Sequence, residues 1–151
     1  MSDFAIRPTD PRTPQATALL EASHALMQSL FDAEDNHYLE ISELCQDHIH
    51  FFAAWDEDDA LGCIALAVMA DYGEVKSMFV SPAARGKSIG AALLTHLEAA
   101  AAAMGLKDLK LETGNTLYDA HRLYERAGFQ RCSVFGDYAE SPASIFMQKS
   151  I

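Results

Sequence analysis

Apolar residues in the first third of the chain recur at helical spacing. From Gln15 to Phe31 the series Leu19, Leu20, Ala22, Leu26, Met27 and Leu30 predicts an amphipathic helix. Before it, Phe4–Arg7 reads as a short strand, and Pro8, Pro11 and Pro14 separate the two elements. A second, shorter helix is predicted over Tyr38–Cys45. The period then changes. Ile49–Trp55 and Leu61–Met69 are apolar runs joined by Asp56-Glu57-Asp58-Asp59, which predicts a hairpin with an acidic turn. Phe51, Phe52 and Trp55 are expected in the sheet core.

Glu74–Val80 is the next predicted strand, ended by Ser81-Pro82. The helical period returns over Ser88–Met104, with Ile89, Leu93, Leu97, Ala100 and Met104 along one face and Gly105 as the expected C-terminal cap. The alanines Ala99–Ala103 favour helix. Leu109–Thr113 reads as a strand, Tyr118–Ala127 as a helix, and Phe129–Phe135 and Ile145–Gln148 as strands. Strands and helices alternate only in the second half, which predicts a mixed α/β (α+β) sheet rather than a doubly wound one. No linker or repeat divides the chain, so residues 1–151 are expected to form a single domain.

Composition narrows the function classes. The chain has 151 residues, 11 Lys+Arg and 22 Asp+Glu, a formal net charge of −11. That balance argues against a broad nucleic-acid surface, which draws its affinity from cations on phosphates, and favours cationic partners. No uninterrupted apolar run reaches the roughly 20 residues of a membrane span. Met1–Pro8 lacks a leader pattern, so a cytoplasmic protein with no membrane association is expected. Cys45, Cys63 and Cys132 are odd in number and have no C-x-x-C spacing, and buried free thiols are expected. His48 and His50 share a strand face without a third ligand at a convincing spacing, so no metal is expected.

The segment with the clearest chemistry is Val80-Ser81-Pro82-Ala83-Ala84-Arg85-Gly86-Lys87-Ser88-Ile89-Gly90. A strand ends, a loop of small residues and cations follows, and a long helix opens. The first amides of a helix lack intrahelical partners and sit at the positive end of its dipole, so the segment predicts an anion site. Gly86-Lys87-Ser88 imitates the end of a nucleoside-triphosphate P-loop. That motif needs glycine where Ser81 stands, with Pro82 next, and the phosphate-wrapping turn cannot form there. A dinucleotide G-x-G-x-x-G is absent as well.

Arg85–Gly90 resembles the [Q/R]-x-x-G-x-[G/A] signature of the GNAT N-acetyltransferase superfamily. Ala120-His121-Arg122-Leu123-Tyr124-Glu125-Arg126-Ala127-Gly128-Phe129 resembles that family's A-x-x-L-Y-x-x-x-G-F block, and the two stand in the family's order. The resemblance implies a largely antiparallel sheet of six or seven strands flanked by helices. It also implies acetyl-CoA as co-substrate, with pyrophosphate on the amides of Arg85, Gly86, Lys87, Ser88, Ile89 and Gly90. Pantetheine would run along the backbone of Met78, Phe79 and Val80, where an amide near Met78 would polarise the thioester carbonyl. Asn115, five residues before Ala120, enters as a further coenzyme contact. Ser88 replaces the signature's first glycine; an ordinary first-turn helical conformation, which accepts serine, is expected there.

The same resemblance makes Tyr124 the expected general acid for the departing thiolate. Glu74, at the start of the donor strand, is the expected base, and Glu112 competes for that role. Strict alternation would put Glu74, Lys76, Met78 and Val80 on one face, where Lys76 could pair with Glu74. Asp137 and Tyr138 stand in a turn that could meet the acceptor. The implied activity is acetyl transfer to a small-molecule amine by direct attack, with room for a homodimer. A non-catalytic acyl-CoA-binding or regulatory module, or a protein N-acetyltransferase, is the alternative.

Overall fold

The helical period at the start of the chain becomes α1 (Pro14–Leu30), preceded by β1 (Ala5–Pro8), in a computed structural model that describes residues 4–151. Met1–Asp3, on which the leader expectation partly rests, lie outside the described residues. Pro14 opens α1, where its missing N–H leaves no bond unmade. Only the first half of α1 is deeply buried, through Ala16, Leu19, Leu20 and Ser23, and Leu30 is exposed. A 3₁₀ turn at Ala33–Asp35 follows. The expected second helix shrinks to the single turn α2 (Ile41–Leu44), closed by a capping box between Glu40 and Glu43.

The predicted hairpin is β2 (Ile49–Asp56) and β3 (Asp59–Val68), turning at Glu57 with φ 53°. β4 (Gly73–Val80) pairs antiparallel with β3. A 3₁₀ turn at Pro82–Ala84 leads to α3 (Ile89–Ala103). This helix ends as expected: Gly105 adopts φ 84°, its N–H bonds to Ala102 O, and Leu106 N–H bonds to Ala101 O. Met104, expected on the core face, is exposed instead. β5 (Asp108–Gly114), α4 (Tyr118–Arg126), β6 (Gln130–Arg131) and β7 (Ser144–Ser150) complete the chain.

The seven strands form one sheet in the order β1-β2-β3-β4-β5-β7-β6, antiparallel except for β4 with β5. Two apolar clusters cover its faces. One joins α1 and α2 to Phe51, Trp55, Cys63, Ala65 and Phe79. The other joins α3 and α4 to Phe52, Leu66, Val75, Leu109, Leu111 and Met147. The aromatic stripe of β2 is therefore core on both faces.

Two further expectations need correction. The strand expected at Phe129–Phe135 survives only as Gln130–Arg131, because the chain leaves β7 to fold Phe135 against Tyr72, Tyr138 and Phe146. The thiols are free, but only Cys63 is buried; Cys132 is half-buried and Cys45 exposed.

Candidate active site

β4 and β5 pair only at Gly73↔Leu109 and Glu74↔Lys110. Beyond those pairs the strands part, leaving the C-terminal half of β4 without a partner on that side. The edge is reshaped further by a bulge. Ala65 pairs with Lys76 but Cys63 with Phe79, so β4 carries one extra residue, and Ser77 takes φ 55°. The Cys63 thiol donates to Ser77 O at 3.3 Å, and the Ser77 hydroxyl is buried without a partner. The bulge overturns the expected alternation. Glu74 and Lys76 stay on the α1 face with Phe79, whereas Met78 and Val80 join Val75 in the α3 cluster.

The bulged strand leads straight to the loop expected to bind an anion. Arg85, Gly86, Lys87 and Ser88 are exposed, while Ile89 is buried in the core. The first bond of α3 runs from Ala92 N–H to Ser88 O, and no side chain caps the amides of Ile89, Gly90 and Ala91. Ser88 does not occupy the ordinary first-turn conformation expected of it. It adopts φ 61°, ψ 23°, the left-handed region, after Gly86 at φ 85°. The loop thus contains two left-handed residues, and serine is strained at the second. Gly90 serves a different purpose: a Cβ there would lie 3.0 Å from Met78 Cε and 3.1 Å from Leu123 Cδ2. It lets α3 approach β4 and α4 closely.

Tyr124 of α4 is 6% exposed and packs in the same cluster as Met78, Leu123 and Phe129. Burial lifts its phenol well above the ordinary range, and the charge of Glu112 adds to the effect. Asn115 follows β5; its N–H donates to Ala143 O, which ties it to the segment between β6 and β7.

On the α1 face beside the parting strands lies a buried polar cluster. Lys76 Nζ donates to His37 O at 2.9 Å and to the Tyr138 hydroxyl at 2.8 Å, and sits 3.5 Å from Glu74 Oε2. Tyr138 in turn donates to Glu74 Oε2 at 2.5 Å. Glu112 accepts a bond from Ser144 Oγ at 2.8 Å. Its burial raises its pKa above the ordinary carboxylate range, against the Ser144 hydroxyl and the charges of His37 and Lys76, and Glu74 pushes the same way as burial. Phe146, opposite Glu112 in the sheet, packs with Phe135 and Tyr138 as an aromatic wall. A cleft of about 450 Å³, lined in part by Glu140, Ser141, Pro142, Ser144 and Phe146, opens beside it.

The structure thus gathers Glu74, Lys76, Glu112 and Tyr138, while Asp137 is an exposed turn residue. Among the described residues, the group of three potential metal ligands is Asp32, Glu34 and Asp35, which includes neither His48 nor His50. Sequence reasoning missed Ser144, His37 O and the Ser77 bulge. No local signal marks them, because each matters only through a distant partner.

A sheet parted between parallel strands, entered by a bulged strand and closed by a helix with bare N-terminal amides, is the architecture of an acyltransferase. The chain belongs to the Acetyltransferase (GNAT) family, which matches residues 17–129. It is 39% identical over its whole length to the whole of an IAA acetyltransferase from Azospirillum brasilense. A Klebsiella pneumoniae protein described as an acyl-CoA N-acyltransferase superposes with TM-score 0.82 at 30% identity, covering 97% of each chain. A GNAT family acetyltransferase from Elizabethkingia anophelis with acetyl-CoA bound superposes with TM-score 0.72 at 20% identity over the whole of both chains.

Proposed function

We propose that this GNAT acetyltransferase moves the acetyl group of acetyl-CoA to the amine of a small molecule by direct attack. The observation that carries the reading is the juxtaposition of the unpaired β4 edge, bulged at Ser77, with the bare amides of α3. Amides of residues 85–90 suit a pyrophosphate, with Arg85 and Lys87 adding charge. The backbone of Met78, Phe79 and Val80 suits the pantetheine amides, and an amide at the bulge suits the thioester oxygen. The side chain of Asn115, at the end of β5, completes the set of coenzyme contacts. The name of the Azospirillum relative supports acetyl transfer, and the acetyl-CoA held by the Elizabethkingia protein supports the donor.

Tyr124 keeps its proton at any physiological pH. A coenzyme thiolate, with the basicity of a thiol near pKa 8.5, is a weaker base than this phenolate. Tyr124 therefore stabilises the departing sulfur by donating a hydrogen bond rather than by a complete early proton transfer. A buried carboxylate, Glu74 or Glu112, takes the proton from the acceptor, since only a neutral amine has a lone pair to attack with. A covalent acetyl-enzyme on Cys63 is disfavoured: its thiol is pushed up to about 12 by burial and donates to Ser77 O.

The test is release of CoA thiol from acetyl-CoA over a panel of primary amines, from alkylamines and diamines to arylalkylamines and amino-acid amides. Turnover with at least one small amine is expected. Thiol release that only protein amines stimulate would favour a protein N-acetyltransferase. CoA binding without release for any amine, small or protein-borne, would make the chain a non-catalytic module.

A further inference from the structure

We propose that His121 and Lys149 are positioning residues: they hold α4 at its two ends and so aim the Tyr124 hydroxyl at the departing sulfur. The inference rests on the reading above in which Tyr124 donates a hydrogen bond to that sulfur. It starts from how little else fixes the helix.

α4 is 9 residues long, and no side chain caps its N-terminus. A helix this short is marginal by itself and takes its position from its neighbours. Ala120, Leu123 and Tyr124 pack into the α3 cluster, whereas Asp119, Arg122, Glu125 and Arg126 are exposed. Apolar burial is non-directional, so it holds α4 on the core without fixing where it lies along its own axis.

Directional bonds do that at each end. The buried His121 ring faces Gly114 O, at the end of β5, with Nε2 at 2.8 Å. A carbonyl only accepts, so Nε2 carries the proton and donates. Gly114 is itself seated, because a Cβ there would come within 2.7 Å of Phe31 Cε2. At the other end Lys149 Nζ, from β7, donates to Ala127 O at 2.6 Å and to Glu98 Oε2 of α3 at 2.8 Å. Its ammonium stands at the negative end of the helix dipole. Gly128 makes room for it: a Cβ there would lie 3.2 Å from Lys149 Cε. The side chains of Lys149 and Glu98 are 22% and 32% exposed, so their ion pair adds little stability. The bond to Ala127 O is what the lysine contributes.

His121 and Ala127 stand on either side of Tyr124, at equal distance along the helix. What the helix must be aimed at is marked by Gly90, where a Cβ would touch both Met78 Cε at 3.0 Å and Leu123 Cδ2 at 3.1 Å. The unpaired edge of β4, the bare amides of α3 and the neighbour of Tyr124 meet there. A donor displaced by 1 Å from its working geometry can cost about 100-fold in rate, so a helix free to slide would lose most of what the phenol supplies.

The experiment is a double-mutant cycle on kcat, at saturating acetyl-CoA and the panel amine that the wild-type protein acetylates fastest. Lys149→Met and His121→Leu each remove one anchor and should lower kcat about tenfold, with KM for the amine changed less than about threefold. Lys149→Arg and His121→Gln keep a donor at each place and should restore most of the loss. In a Tyr124→Phe background, removing either anchor should cost less than about twofold more, because the hydroxyl to be aimed is gone. Equal losses in the two backgrounds overturn the assignment, since a merely structural anchor would lower both alike. So does wild-type kcat in a folded Lys149→Met or His121→Leu protein. Should both fail to fold, Glu98→Gln loosens the lysine from a partly exposed site and should show a smaller loss, again absent with Tyr124→Phe. No loss there, or one that persists with Tyr124→Phe, overturns the assignment equally. Wild-type turnover in Tyr124→Phe, or a wild-type protein inactive towards the whole panel, sinks the earlier reading and this assignment with it. A slow Tyr124→Phe protein with additive anchors sinks only the assignment.

Discussion

The loop at residues 85–90, proposed to hold the donor, and the buried polar cluster, proposed to face the acceptor, flank the parting of β4 and β5 but are built in opposite ways. The loop is contiguous and mostly exposed, contains two left-handed residues, and on the proposed reading would act through its backbone amides. The cluster draws Glu74, Lys76, Glu112, Tyr138 and Ser144 from three strands and a turn, with a carbonyl from His37, and works through buried side chains. A backbone site tolerates side-chain change as long as its turn is kept. A side-chain site in low dielectric must be satisfied as a whole, because each unpaired member carries a large desolvation penalty.

The sharpest way to break this contrast is Lys76→Met. It strands Glu74 without its cation, and a loss of about 3 kcal/mol in urea unfolding is expected, as for a broken buried ion pair. Lys87→Met in the donor loop should shift stability by less than about 0.5 kcal/mol, as exposed substitutions do. Equal losses at both positions would erase the contrast. Tyr124→Phe comes next. Stability should hold while kcat falls roughly 10²-fold, about 2.7 kcal/mol of transition-state stabilisation. Wild-type turnover in a folded variant would return Tyr124 to a packing role.

Ser88→Gly sharpens the donor side. Relief of the left-handed serine should add about 1 kcal/mol of stability, with CoA affinity changed less than about tenfold. Ser88→Ala should bring no such gain, since alanine is strained in the same way. A gain of CoA affinity well beyond tenfold would mean that the serine distorts the loop itself.

The smallest effect concerns Glu112 and pH. Its folded pKa lies above its unfolded value near 4.5 because burial disfavours the charge. Between those two values the folded state holds more proton than the unfolded one, so stability falls as pH rises through that window. Glu112→Gln should remove that decline, and urea midpoints measured on both proteins across the acid range would register it. Parallel curves would show that Glu112 is solvated as well as an exposed carboxylate.

Most elements were legible in the sequence because each rests on a local period. α3 and its glycine stop, the acidic hairpin turn and the alternating β5 follow from apolar spacing and turn chemistry. The donor loop was legible for the same reason, being six consecutive residues between a strand and a helix. What escaped was conformation decided by neighbours. Ser88 reads as an unremarkable helix starter, yet the direction that α3 must take forces it left-handed. Phe129–Phe135 reads as a strand, yet its aromatic end joins Tyr72, Tyr138 and Phe146 instead of β7.

The acceptor side shows where that boundary lies. Sequence by itself pointed to a mixed sheet with a helix start suited to an anion, and showed that Glu74, Lys76, Glu112 and Tyr138 were available. Only the tertiary structure decided their partners. The extra residue at Ser77 separates Glu74 and Lys76 from Met78 and Val80, and the segment after β6 returns Tyr138 over β4, 64 residues from Glu74. Periodicity reports how a residue relates to its near neighbours along one element. Pairing of buried charges depends on the distances and desolvation that arise when separate elements pack, and no local pattern encodes them.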